Sequence, residues 1–215
     1  MEEELLAIFD SDGVKVNSWP PHHQFKTDMA EKYQPGLVIP PLAESYHLVA
    51  NGMINVLLKA GFDKEIAEVI IREEYSHFAD NYPCPLFPGV SETVKMLSLY
   101  MNLALVSSNE AANVRKVLGP ALTPYYKPFV TMENFPQGGK AAGIRHCLEF
   151  HGLTPDKAVY VGDTMSDKKA ADEVGVFFIA AGYGWQIRPE GDHPFPVAKS
   201  FPEVGGIILS HFGLA

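Results

Sequence analysis

The stretch Leu5 to Gly13, LLAIFDSDG, decides the fold. Five apolar residues are too few for an independent helix but suit a strand covered on both faces. Side chains alternate along a strand, so Asp10 and Asp12 can point the same way where the run ends, and Gly13 lets the chain turn sharply. Four similar runs follow: LALV (103–106), PFV (128–130), AVYV (158–161) and VFFI (176–179). Between them lie segments with helical spacing. Residues 110–118 line up Ala111, Val114, Val117 and Leu118, and residues 141–150 line up Ile144, Cys147 and Leu148 ahead of Gly152, a plausible helix stop. Strand and helix in alternation predict an α/β fold, a Rossmann-like parallel sheet.

The gap between Phe9 and Leu103 is far longer than one crossover helix needs. Within it, Leu42, Tyr46, Val49, Met53, Val56 and Ala60 repeat at helical spacing up to Gly61, and residues 64–79 offer Ile66, Val69, Ile70 and Phe78. A weaker helical stretch covers 21–33. Proline-rich borders, WPP at 19–21 and YPCPLFPG at 82–89, frame this insert. The expected organisation is an α/β core of residues 1–16 and 85–215 interrupted by a helical insert, or cap, at 17–84.

Composition narrows the function. The 215 residues carry 17 Lys+Arg against 26 Asp+Glu, a net charge of −9, with the basic residues scattered singly. That balance offers no footprint for a nucleic acid. Two isolated cysteines argue for a reducing compartment. The acidic opening MEEELL lacks the basic flank of a secretory signal, and no apolar stretch approaches the roughly 20 residues of a membrane span. A soluble cytoplasmic protein is expected, with no nucleic-acid or membrane partner; its oligomeric state is left open.

A second acidic pair follows AVYV in GDTMSD: Asp163 at the strand tip and Asp167 one turn into a helix. The two can face one point, which outlines a site for a hard cation such as Mg²⁺ that takes carboxylate oxygens, water and substrate phosphate. Taken singly, Asp10 and Asp12 could merely cap a turn, and Asp163 and Asp167 a helix. Two further groups fit the cation reading. Ser107, directly after LALV, offers a hydroxyl to a phosphoryl oxygen, with Ser108 beside it, and Lys140 in QGGKAAG offers a point charge. A nucleotide P-loop is excluded around Lys140, because Asn134 and Ala141 replace its first Gly and its Ser/Thr. The adjacent pair His22-His23 lacks further ligands at suitable spacing for a transition metal. Lys15, Asn17, His22, His23, Lys26 and Arg72 are the residues expected near a substrate.

The order D-x-D-G after a strand, Ser107 after LALV, Lys140 opening a helix and G-D-x-x-x-D after a strand resembles the haloacid dehalogenase superfamily. The resemblance extends to PGV (88–90), VYVGDTMSDKKAADEVG (159–175) and AGYGW (181–185), with Ser11 and Val14 as mild departures. The helical insert resembles the cap of the phosphoglycolate phosphatase and β-phosphoglucomutase subgroup. The resemblance implies a Mg²⁺-dependent phosphatase of a small phosphorylated metabolite. It further implies Asp10 as nucleophile forming an aspartyl-phosphate and Asp12 as general acid and base, the acid holding its proton more readily. The metal ligands would be Asp10, Asp163, the Asp12 carbonyl and, directly or through water, Asp167. Ser107 and Lys140 would hold the phosphoryl oxygens. A phosphomutase sharing the same acids is the alternative; a phosphoacceptor receiver module would have no use for the insert.

Overall fold

A computed structural model describes residues 4–50, 52–135 and 138–214. The chain divides into two compact units, Met1–Asn17 with Leu86–Ala215, and Ser18–Pro85.

The first unit is built on a six-stranded sheet: β1 (Leu6–Phe9), β2 (Asn102–Val106), β3 (Tyr126–Val130), β4 (Ala158–Gly162), β5 (Phe177–Ala181) and β6 (Val197–Ala198). The order is β3-β2-β1-β4-β5-β6 and every pairing is parallel. LLAIF is therefore the central strand, with Leu6 opposite Asn102 on one side and Ala158 on the other. The expected parallel α/β sheet is present. β6 has no counterpart in the sequence reading, because two residues just past Pro194 and Pro196 are too few for a period to register.

Period-two alternation sorts each strand between two cores. Ala7 and Phe9 of β1, Leu103 and Leu105 of β2 and Val159 and Val161 of β4 join a cluster with Val90, Val94, Leu97, Val114, Leu118, Val204 and Ile208. Those partners come from helices α5 (Val90–Leu97), α6 (Ala111–Leu122) and α9 (Phe201–His211). Leu6, Ile8, Ala104, Val106 and Tyr160 face the other way, onto Ile144, Cys147, Leu148, Ala170 and Ala171 of α7 (Gly139–His151) and α8 (Met165–Val174). Burying each large apolar side chain contributes about 1.5–3 kcal/mol, which is why strands so short and so apolar hold. The chain leaves β1 for β2 and β3 on one side, then returns to β4 and β5 on the other. This reversal opens a crevice at the carboxyl ends of β1, β2 and β4, where ligands of open α/β sheets bind.

The second unit is helical: α1 (Trp19–Tyr33), α2 (Met53–Lys59), α3 (Lys64–Glu73) and α4 (Phe78–Asn81), with 3₁₀ turns at Leu42–Leu48 and Tyr75–His77. Here the pattern misleads at three points. α1 begins earlier than expected, because Pro20 and Pro21 occupy its first turn, where a missing N–H breaks no helical hydrogen bond. The continuous helix expected over 42–60 is instead a 3₁₀ turn and α2, separated near Gly52 at φ 79°. The stretch 64–79 ends its first helix at Glu73, and the carboxylate of the next residue, Glu74, takes hydrogen bonds from Lys32 at 2.6 Å and Tyr33 at 2.5 Å. An aromatic cluster of Phe25, Tyr75, Phe78 and Tyr82 packs inside this unit.

Ile144 is fully buried where α7 meets the sheet. Ile144→Ala should lose about 2–5 kcal/mol, measured by urea unfolding; a loss under 1 kcal/mol would mean that this helix is not held by its apolar face.

Candidate active site

Three carboxylates converge at the crevice. Asp10, the residue after β1, keeps the ladder by donating its N–H to Val161 O at 2.9 Å. The chain then folds into a tight turn in which Ser11 O accepts from Val14, Lys15 and Val16. Gly13, at φ +73°, is required there: a Cβ would stand 2.0 Å from Asp163 Oδ2. Asp163 follows β4, and Asp167 lies in the first turn of α8. One oxygen from each of Asp10, Asp163 and Asp167 lies within 4.8 Å of the others, and all three residues are buried.

Asp167 is the most fully bonded. Its Oδ2 accepts from Thr164 N at 3.0 Å, Thr164 Oγ1 at 2.6 Å and Asp163 N at 3.3 Å, completing a capping box at the start of α8. Its Oδ1 accepts from Tyr160 Oη at 3.0 Å and Lys140 Nζ at 2.5 Å. Lys140, in the first turn of α7, also reaches Asp10 Oδ2 at 2.5 Å. It therefore bridges two carboxylates.

The charges explain the titration. Burial pushes Asp10 up to about 6, with Lys140 pulling the other way. Burial, and then the like charges of Asp167 and Asp10, hold Asp163 well above the usual carboxylate range. Asp167 is also buried, but its bonds to Lys140 outweigh that and keep it low. Burial would depress Lys140, yet Asp10 and Asp167 hold it above its ordinary value. One ammonium thus faces three carboxylates and leaves negative charge in excess. A buried, all-oxygen donor set with surplus negative charge fits a hard divalent cation.

The remaining sequence-derived residues divide. Ser107, buried at the end of β2, donates its N–H to Val130 O at 3.0 Å and accepts from Asn109 N at 3.2 Å through Oγ; Ser108 is exposed. Asp12 stands outside the carboxylate cluster and accepts from Asn109 Nδ2 at 2.9 Å. Lys15 departs from expectation. It is buried, with Nζ 4.0 Å from the Tyr126 ring centroid, 5.5 Å from that of Phe9 and no hydrogen-bond partner, and burial pushes it down to about 7. Its long apolar stem is what permits this packing in the core. Among the residues expected near a substrate in the insert, His22 is buried and stacked 4.2 Å from Phe78, and Lys26 is buried 4.1 Å above Trp19. His23 pairs with Pro40 O at 2.7 Å, Arg72 is exposed and bonded to Glu73, and Asn17 is half-buried.

Sequence reasoning missed three groups: Asn109 on Asp12, Tyr160 on Asp167, and the Trp185 N–H, which reaches Asp163 Oδ2 at 2.6 Å. Asn109 is a polar residue two positions past a strand-end serine, and Tyr160 and Trp185 lie in stretches quoted for the resemblance without being singled out.

A Rossmann-like parallel sheet with a buried acidic cluster beyond the ends of β1 and β4 puts the chain in the α/β class, with its ligand site at the switch point. The chain belongs to the haloacid dehalogenase-like hydrolases, whose family model matches residues 7–181. It is 28% identical over 210 residues to a phosphoglycolate phosphatase of Pseudomonas savastanoi pv. phaseolicola, covering 92% of this chain and 74% of that one. A phosphoglycolate phosphatase of Nitrosococcus oceani is 26% identical over 226 residues, covering 97% and 98%. The fold is similar to the crystal structure of a predicted phosphoglycolate phosphatase from Haemophilus somnus, with a TM-score of 0.80 at 20% identity over 95% of this chain and 98% of that one. Among the described residues, no helix is long and apolar enough to cross a membrane.

Asp163 gives a test of the surplus charge. A group held above its ordinary pKa stabilises the fold at low pH and loses that contribution as pH rises through the folded value. In chelator at pH 7, Asp163→Asn should therefore melt higher than the parent. The gain should shrink towards pH 4, where Asp163 carries its own proton. An equal or lower melting temperature at pH 7 would contradict the surplus.

Proposed function

We propose that the protein is a Mg²⁺-dependent phosphatase of a small phosphorylated metabolite, of the phosphoglycolate or sugar-phosphate class, working through an aspartyl-phosphate. The observation that carries this reading is the buried cluster of Asp10, Asp163 and Asp167 bridged by Lys140. Relatives named phosphoglycolate phosphatase, matching nearly the whole chain, support the substrate class.

A phosphate monoester resists attack because it is anionic and its leaving group is a poor alkoxide. Asp10 attacks phosphorus, forming an aspartyl-phosphate as the ester P–O bond breaks. Asp12, oriented by Asn109, gives its proton to the departing oxygen and then takes one from the water that attacks the phosphoenzyme, releasing phosphate and restoring Asp10. Ser107 and Lys140 hold the phosphoryl oxygens, with Ser108 as a second, exposed hydroxyl. Asp10, Asp163, Asp167 and the Asp12 carbonyl would hold Mg²⁺. When bound, the ion supplies the positive charge that relieves repulsion between nucleophile and phosphate. Lys15, enclosed by Phe9 and Tyr126, is given no substrate role in this reading.

With Mg²⁺, the protein should release phosphate from phosphoglycolate or a sugar phosphate in a monoester panel, and chelator should abolish the release. No release from any monoester, or an isomerised sugar phosphate in place of free phosphate, would overturn the proposal. Asp10→Asn should abolish both turnover and the phosphoenzyme. Lys140→Ala should lose about 2–4 kcal/mol of transition-state stabilisation, the range seen when a preorganised donor is removed. Parent-like kcat/KM in either variant would reassign that residue.

A further inference from the structure

The loop after β5 takes no part in the chemistry above, yet it grips both sides of the carboxylate cluster. Tyr183 Oη donates to Val14 O at 2.8 Å, in the turn that follows Asp12. Gln186 N and Ile187 N donate to Asp163 O at 3.3 and 3.0 Å. Gly184 is wedged between the two, since a Cβ there would stand 2.4 Å from Gly13 O and 2.5 Å from Asp163 Cβ.

The peptide joining Gly184 to Trp185 is the centre of this arrangement. Its N–H donates to Asp163 Oδ2 at 2.6 Å, while its carbonyl, Gly184 O, accepts from Arg188 Nη1 at 2.7 Å. Arg188 Nη2 takes the next carbonyl, Trp185 O, at 3.0 Å. A planar guanidinium fork on two successive carbonyls fixes the planes of the two peptides that carry them, the Gly184–Trp185 peptide among them. The cationic donor also polarises that peptide, which strengthens the N–H on its far side. Asp163 is thereby held through Oδ2.

We propose that Arg188 is a positioning residue for the divalent-cation site, acting on Asp163 through the Gly184–Trp185 peptide. The proposal rests on the reading of the carboxylate cluster as a metal site. Groups that orient a metal ligand are typically worth about 10–100-fold in metal affinity, so a loss of that order is expected when the fork is removed.

Calorimetric titration of Mg²⁺ into the substrate-free protein tests this. The parent should bind the ion and Arg188→Leu should bind it at least about tenfold more weakly, with Arg188→Lys, which has no fork, in between. At saturating Mg²⁺ the KM for the best monoester substrate should stay within about twofold of the parent in all variants, because the fork acts on Asp163 through the peptide that Asp163 accepts from. Tyr183→Phe, which removes only the hydroxyl bonded to Val14 O, keeps the test open should Arg188→Leu fail to fold, and a weaker Mg²⁺ affinity is expected from it too. A parent that binds no Mg²⁺ would overturn the metal-site reading itself. A parent that binds the ion while the folded variants bind it equally well would overturn only the role of Arg188 and its loop.

Discussion

The bridge that Lys140 makes between Asp10 and Asp167 is the interaction on which the site depends. Removing one partner of a buried ion pair typically costs about 3–5 kcal/mol, because the other charge is left without compensation. Here the ammonium comes from the first turn of α7, and the carboxylates from the end of β1 and the first turn of α8. Three elements must therefore arrive in register for the charges to be tolerated. The sheet order supplies that register, since β1 lies beside β4 and both α7 and α8 pack on the same face. Backbone N–H groups of Ser11, Asp163, Thr164 and Trp185 take up much of what remains.

Strands β1 to β5 could be read in the sequence because each contains a short apolar run whose alternate residues serve two cores, so the pattern is local and strong. Asp10, Asp163, Asp167 and Lys140 could be singled out for a similar reason: each sits at a strand tip or in the first turn of a helix. What the sequence hid depends on distance along the chain. Asn109 meets Asp12 across 97 residues, and Trp185 meets Asp163 through a backbone N–H that carries no residue-type signal at all. The burial of Lys15 was hidden differently, since a lysine after a turn reads as solvated until Phe9 and Tyr126 are seen to enclose it. In the insert, Pro20 and Pro21 read as a border when they form a helix start, and a single glycine divided an otherwise continuous period.

The helix termini hold the acidic cluster as firmly as the sheet does. Asp167 closes a capping box while accepting from Tyr160 and Lys140, so a single carboxylate both starts α8 and anchors the charge bridge. Local folding and site assembly therefore meet in that residue.

The central position of β1 has a consequence for synthesis. Lys140 and Asp10 are 130 residues apart, and the neighbours of β1 begin at Asn102 and Ala158. A ribosome delivers LLAIF first and its two flanking strands much later, so the most apolar segment of the sheet waits with both hydrogen-bonding edges bare. Such an edge invites pairing with other chains, which makes the nascent polypeptide, rather than the finished enzyme, the form most in need of a chaperone.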